Sequence, residues 1–176
     1  WSHKIADDQK LDFASFFGYM GYNYNSRGVK EAPRVINSLL YNKITDTDVR
    51  KGKLWIPDGA TNSSVVVPPG GIKANYMHQK FRAESESSSN GCIPCMRVAE
   101  MYLIAAEGYA KAGASTLDLA RDSLYALQKS RDQAYEKSTS ATSQFIEEVL
   151  VARRIELWGE GFRFLDLKRL NLPLDR

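Results

Sequence analysis

Seven charged residues near the end of the chain, Arg153, Arg154, Glu156, Glu160, Arg163, Asp166 and Arg169, fall at helical or near-helical spacings. Paired carboxylates can act as acid and base, so catalysis is the first chemistry to weigh. Glu156 and Glu160, however, alternate with guanidinium groups that can neutralise them, which favours ionised pairs over a raised pKa. The planar fork of arginine suits two-point pairing with Glu and Asp. The reading adopted is a structural ion-pair network of Arg153, Glu156, Glu160, Arg163 and Asp166, with no catalytic residue. It is expected to pin the last two helices to the helical hairpin before them.

Other groups that could do chemistry read as structural. Glu100 and Glu107 are expected on a helix surface or bonded to Arg97 or Lys111. Asp46 and Asp48, with Thr45 and Thr47, lack the ligand pattern and glycine of a calcium loop, so cap and turn duty is expected. Cys92 and Cys95 form one Cys-x-x-Cys. Two cysteines are too few for a zinc site unless His3 and His78 complete it. Without a βαβ pattern a thioredoxin-like role is weak, which leaves a local disulfide or two inert thiols. No metal and no cofactor are expected, and no nucleophile motif or phosphate-binding glycine loop is present.

One stretch has the composition of a binding loop. Gly21-Tyr22-Asn23-Tyr24-Asn25-Ser26-Arg27-Gly28 puts aromatic, amide and guanidinium groups side by side. Flat aromatic faces flanked by such hydrogen-bonding groups suit a polar ligand, and loops on a rigid scaffold are the usual place for them. The candidate ligand-binding residues are Tyr22, Asn23, Tyr24, Asn25, Arg27 and Trp55. The competing reading makes Tyr19 and Tyr22 core aromatics with satisfied hydroxyls.

The elements that must position these groups divide the chain in two. Residues 1–91 are rich in Gly, Asn, Ser and Tyr and read as loops and short strands around one helix. Glycines 18 and 21 argue against a helix interior over Phe13–Tyr24. Glu31–Tyr41 is expected to be helical, with Pro33 in its first turn. Val65–Val67 and Tyr76–Arg82 are expected to be strands, the first stopped by Pro68-Pro69. Glu84–Asn90, almost all Ser and Glu, is expected to be a solvated loop.

Residues 92–176 are rich in Ala, Leu, Glu and Arg and read as packed helices. In Met96–Ala112, a stripe of Val98, Met101, Tyr102, Ala105, Tyr109 and Ala112 recurs at spacings of three and four, and Gly113 is a natural stop. A second helix carries Leu117, Ala120, Leu124 and Leu127, close enough behind the first to pack antiparallel to it. A third, Gln144–Trp158, offers Phe145, Val149, Ala152 and either Ile155 or Leu157. A last one, Phe162–Leu170, offers Phe162, Leu165 and Leu170. The fold class is therefore mostly α: tetratricopeptide-like antiparallel helices with a loop-rich region and short strands. The two halves are expected to form one structural unit.

Composition narrows the function. With 24 basic residues against 21 acidic ones in 176, and no basic run, nucleic acid is not an expected partner. No apolar run approaches the roughly 20 residues of a membrane-spanning helix. The start, Trp1-Ser2-His3-Lys4, reads as internal to a longer protein, so the lack of a leader says nothing about the parent's address.

Two stretches carry a family resemblance. Arg97-Val98-Ala99-Glu100-Met101-Tyr102-Leu103-Ile104-Ala105-Ala106-Glu107-Gly108 resembles the Arg-x-Ala-Glu-x-Tyr-Leu-x-x-Ala-Glu-Ala helix of SusD-like (SusD/RagB) proteins. Ala152-Arg153-Arg154-Ile155-Glu156-Leu157-Trp158-Gly159-Glu160-Gly161-Phe162-Arg163-Phe164-Leu165-Asp166-Leu167-Lys168-Arg169 resembles their second signature, with Ala152 where Glu is common; Gly108 likewise replaces Ala. The resemblance implies the C-terminal part of a non-enzymatic glycan-binding lipoprotein of the bacterial outer-membrane surface. Its implied partners are an oligosaccharide and a SusC-like TonB-dependent transporter. Its only tie to the membrane would be a lipid anchor outside this chain. The alternative is a helical protein–protein module that binds no sugar. Because the family's binding residues vary, the resemblance transfers no ligand site.

Overall fold

The computed structural model describes residues 2–5 and 15–173. They form two compact units, Trp1–Cys95 and Met96–Arg176.

In the first unit, strand β1 (Ser2–Ile5) pairs antiparallel with β4 (Gly91–Pro94), and β2 (Trp55–Ile56) pairs antiparallel with β3 (Met77–His78). Because β4 closes onto β1, the first unit runs a few residues past the compositional change at 91. Between the strands lie three short helices, α1 (Phe16–Met20), α2 (Arg27–Glu31) and α3 (Ser38–Tyr41). Each opens on a side chain that accepts a hydrogen bond from an otherwise unbonded backbone N–H. Ser15 accepts from Gly18, Ser26 from Val29 and Asn37 from Leu39.

Three expectations for this region fail, each for a local reason. The helix over Glu31–Tyr41 is broken. Pro33 disfavours helical backbone at Ala32 and has no N–H to donate, so α2 stops at Glu31, Val35 forms a bridge to Met77, and α3 restarts at Ser38. Val65–Val67 is extended but joins no strand ladder among the described residues. Val65 instead fills a small cluster with Ile56 and Met77. Of Tyr76–Arg82, only Met77–His78 is a strand. The helix-breaking effect expected of Gly18 is also overridden, since α1 runs through it for one turn; Phe13 lies outside the described residues. The Ser/Glu loop is not wholly solvated, because Ser89 and Asn90 are buried.

The second unit is helical: α4 (Val98–Ala112), α5 (Leu117–Lys129), α6 (Thr142–Glu156) and α7 (Phe162–Leu170). A single 3₁₀ turn, Ala114–Thr116, joins α4 to α5, and α4 packs on both α5 and α6. The core contains Leu103, Ala106 and Ala110 from α4, Ala120, Leu124 and Leu127 from α5, and Phe145, Val149 and Ala152 from α6. Alanines on facing helices let the backbones approach closely. Ile155 and Leu157 are both buried.

One helix turns the opposite way from the expected stripe, and a second departs from it in part. Val98, Met101, Tyr102 and Tyr109 of α4 are exposed, Val98 at 72%. The inward face is Ala99, Leu103, Ala106 and Ala110, flanked by Glu100 and Glu107. In α7, Phe162 packs against the core as expected and Leu170 is half-buried, but Leu165 is exposed and Asp166 and Leu167 face inward. Both helices are apolar on more than one side, so periodicity left two choices, and arginine partners make the face with carboxylates tolerable inside.

Candidate functional site

Two constructions in the molecule could serve function: a set of ion pairs in the second unit and a cleft in the first.

Arg97, just before α4, is the first node of the ion pairs. Its Nε and Nη2 donate to Glu160 at 3.0 and 2.8 Å, Nη1 to the Glu156 carboxylate at 2.7 Å, and Nη2 to the Glu156 carbonyl at 2.7 Å. Arg131, in the turn after α5, holds the same Glu156 carboxylate at 3.1 and 2.9 Å. Arg153 is the second node, donating to Asp166 at 3.0 and 2.8 Å and to Glu100 at 3.3 Å. Arg169 forms the third, bridging Asp166 at 2.8 Å to both oxygens of Glu107 at 2.6 and 2.7 Å, while Lys111 also holds Glu107. Burial alone would raise the Glu107 pKa, but Arg169 and Lys111 outweigh it and bring it down to about 2. A carboxylate held ionised in this way has no proton to give near neutral pH.

The turn between α6 and α7 makes this geometry possible. Gly159 and Gly161 have φ of 77° and 87°, a region open to glycine at little cost. They flank Glu160 and let the chain reverse around its buried carboxylate. The structure thus joins Arg153, Glu156, Glu160 and Asp166 in inter-helix pairs and places Arg163 half-buried on α7. Glu100 and Glu107 are buried rather than on the surface and pair with arginines from α6 and α7; the expected bond from Lys111 to Glu107 is present, and Glu100 pairs with Arg153 rather than Arg97. Arg97, Arg131 and the Glu100–Arg153 pair were missed as network members. Arg97 and Glu100 stand in the first signature stretch and could have been found by pairing the two stretches. Nothing in the sequence marks Arg131.

The cleft lies on α1, α2 and the segment between them. It measures about 570 Å³ and is lined mainly by Tyr19, Tyr24, Asn25, Arg27 and Glu31. The lining is built by a close approach: a Cβ on Gly28 would sit 2.9 Å from the Gly18 carbonyl oxygen. Ser26 ties the two helices, donating to that carbonyl at 2.5 Å while capping α2. The connecting segment is stitched from behind. Tyr22 N–H donates to the Phe81 carbonyl at 3.1 Å, and Asn25 N–H to that of Glu86 at 2.9 Å. The Asn23 amide takes both backbone groups of Ala83, accepting at 2.8 Å and donating at 3.0 Å. On the open side, Arg27 Nε donates to Glu31 at 2.9 Å. The Arg34 guanidinium lies over the Tyr19 ring, 5.8 Å from its centroid.

This arrangement sorts the six loop candidates. Tyr24, Asn25 and Arg27 line the cleft, although most of Tyr24 is buried. The assignment of Trp55 is corrected: at 1% exposure its ring is enclosed and has no face to offer a ligand. Asn23 is corrected as well, since its amide is used on Ala83. Tyr22 packs edge-on against His78 and is not in the lining. The sequence reading set Tyr19 aside as core; it is exposed and in the cleft. Glu31 was not singled out. Its position four residues after Arg27 was the available signal.

Cys92 and Cys95 are exposed and free. Among the described residues no group of three or more His, Cys, Asp or Glu could hold a metal ion, and no helix is long and apolar enough to cross a membrane.

One unit is thus a cross-braced set of helices, and the other carries a loop-built aromatic and polar cleft. Comparison with known proteins names the family. The profile of the SusD family matches residues 5–175, and the chain belongs to that family. The fold also matches a solved structure of a SusD-like carbohydrate binding protein from Bacteroides vulgatus ATCC 8482. The TM-score is 0.74 and the identity 26%, over 98% of this chain and 34% of the other. The chain thus spans about a third of the length of that relative. No curated protein matches the sequence.

Proposed function

We propose that this chain is part of a cell-surface protein that binds oligosaccharides without cleaving them and passes them to a SusC-like TonB-dependent transporter of the outer membrane. In this reading the parent protein is a lipoprotein held at the outer-membrane surface by an anchor outside this chain. The observation that carries it is the cleft of Tyr19, Tyr24, Asn25, Arg27 and Glu31 in a SusD-family chain. An exposed tyrosine ring can cover the apolar face of a pyranose, and the amide, guanidinium and carboxylate can bond its hydroxyls. The similarity to a carbohydrate binding protein supports the same ligand class.

The test is affinity electrophoresis of the full-length protein through gels containing polysaccharide. Retardation that Tyr19→Ala abolishes is the expected result. Unchanged retardation of that variant would remove the cleft from the binding site.

A second reading, a helical module for protein partners, is favoured by the exposed α4 face of Val98, Met101, Tyr102 and Tyr109. An apolar stripe of this kind suits contact with another protein surface. On this reading the full-length protein shows no polysaccharide retardation, and Met101→Glu with Tyr102→Glu abolishes its co-purification with a protein partner.

A further inference from the structure

The charge around the cleft says which sugars it suits. Arg27 uses only Nε, on Glu31, and neither of its Nη groups has a partner among the described residues. The pair is highly exposed, with side-chain exposures of 81% and 60%. Pairs this exposed contribute little, about 0–1 kcal/mol, so a ligand anion can take the guanidinium from Glu31 at small cost. Arg34 is outside the cleft lining, but its guanidinium lies over the Tyr19 ring and has no carboxylate partner among the described residues. The lining thus holds one guanidinium with two uncommitted Nη groups and one carboxylate, and a second guanidinium lies over its Tyr19 ring.

The rest of the chain shows that this imbalance is local. Residues 1–95 hold twelve basic and nine acidic side chains, whereas residues 96–176 hold twelve of each. The whole net charge of +3 thus belongs to the unit that carries the cleft. In the second unit each arginine of the network is committed to carboxylates, Arg153 and Arg169 to two apiece. The arginine fork matches carboxylate and sulfate oxygens, which accept two parallel hydrogen bonds; a neutral hydroxyl cannot do this.

We infer that the cleft selects acidic oligosaccharides, bearing uronate or sulfate groups, over neutral ones, with Arg27 engaging the anionic group beside the Tyr19 ring. This rests on the cleft being the carbohydrate site, and the experiment separates the two claims. Four probes form two matched pairs: polygalacturonate with its methyl ester, and dextran sulfate with dextran. Binding of the full-length protein is measured by affinity electrophoresis and calorimetry.

The expected result is at least tenfold tighter binding of one charged probe than of its neutral partner, and whichever pair responds tells carboxylate from sulfate. Arg27→Gln should erase most of that preference, and Glu31→Gln should tighten binding several-fold. Lys53→Gln removes the same charge at an exposed site outside the cleft lining and should change nothing. An equal loss in Lys53→Gln and Arg27→Gln would mean non-specific attraction and overturn the inference. Equal binding of charged and neutral probes, with Tyr19→Ala abolishing both, overturns the acidic preference and leaves the cleft as the sugar site. Binding that Tyr19→Ala leaves untouched overturns both claims. Retention of none of the four probes overturns the inference.

Discussion

If the Arg–carboxylate pairs hold the helices together, a double-mutant cycle at Arg97 and Glu160 will show it. The Glu160 side chain is 1% exposed and that of Arg97 27%. Arg97→Ala leaves the buried Glu160 carboxylate without its guanidinium. Breaking a buried pair from one side costs about 3–5 kcal/mol. The partial exposure of Arg97, and the hold that Arg131 keeps on Glu156, place this case near the lower end, about 3 kcal/mol. Glu160→Ala is milder, about 2 kcal/mol, because Arg97 keeps Glu156 and reaches solvent. With both gone no charge is stranded, so the double variant should lose less than the sum of the singles by at least about 1 kcal/mol. Equilibrium urea unfolding followed by far-ultraviolet circular dichroism reads all four corners. Strict additivity, or an Arg97→Ala cost below about 1 kcal/mol, would refute the pairing argument. The same variants bear on function, since neither residue lines the cleft. Glu160→Ala should therefore keep its polysaccharide retardation. Lost binding with unchanged stability would move Glu160 from the scaffold to the ligand site.

Three further outcomes follow from buried groups. Glu107, held down to about 2 by Arg169 and Lys111 against an ordinary value of 4.5, contributes stability that is fully present above pH 4.5 and lost as pH falls through 2. Allowing for the exposure of its two partners, the contribution is about 2 kcal/mol; Glu107→Gln should flatten the acid limb of a stability-against-pH curve, and an unchanged limb contradicts this. His78 is neutral in the fold: burial foremost, then Lys80, lowers it from 6.5 to about 3, and its Nδ1 accepts from the Lys80 N–H at 3.3 Å. The unfolded imidazole takes a proton below pH 6.5 and the folded one does not. Stability of the first unit should fall by up to about 1.4 kcal/mol per pH unit between 6.5 and 3, and a slope in that range that survives His78→Gln rules the histidine out. Asn23→Ala leaves the Ala83 N–H and carbonyl without their amide partner, at about 2–3 kcal/mol. It should speed hydrogen exchange at Ala83 and weaken glycan binding through the loosened loop, whereas exchange as slow as in the parent would show that the clamp is dispensable.

The second unit was more legible in the sequence than the first, for physical reasons. Helices of thirteen and fifteen residues repeat their pattern about four times, so α5 and α6 disclosed their inner faces: Leu124, Leu127, Phe145 and Val149 are all in the core. The same periodicity misled in α4 and α7, where the buried face carries Glu100, Glu107 and Asp166. A hydrophobicity pattern counts a carboxylate as an outward residue, and only its arginine partners, 53 and 62 positions on for Glu100 and Glu107, show that it is an inward one. Among the described residues of the first unit no helix exceeds five residues, and the controlling terms are single events: Pro33 ending α2, Asn23 clasping Ala83, Gly28 admitting the Gly18 carbonyl. Such events join residues up to sixty positions apart and leave no periodic trace. The loop composition did point to the right stretch, since Tyr24, Asn25 and Arg27 line the cleft. It could not separate them from Trp55 and Asn23, because a tryptophan or an asparagine looks the same in a sequence whether it faces water or the core.

The residues that make this chain recognisable are not the ones that could meet a sugar. The two signature stretches supply Arg97, Glu100, Glu107, Arg153, Glu156, Glu160, Asp166 and Arg169, and those side chains are joined to one another across α4, α6 and α7. An arginine that donates to two carboxylates constrains both partners at once. Lysine cannot replace its fork, and losing either carboxylate strands a buried charge. Such a set tolerates little change. The cleft is under no such constraint. Tyr19, Asn25, Arg27 and Glu31 are exposed, and exchanging them disturbs no core packing. The backbone beneath them is set by Gly28, Ser26 and Asn23, which do not depend on what the rim carries. Altering the ligand therefore requires only rim substitutions, while the scaffold that positions the rim stays as it is. For this reason family membership fixes the fold here and leaves any ligand to be read from the charge and shape of the cleft itself.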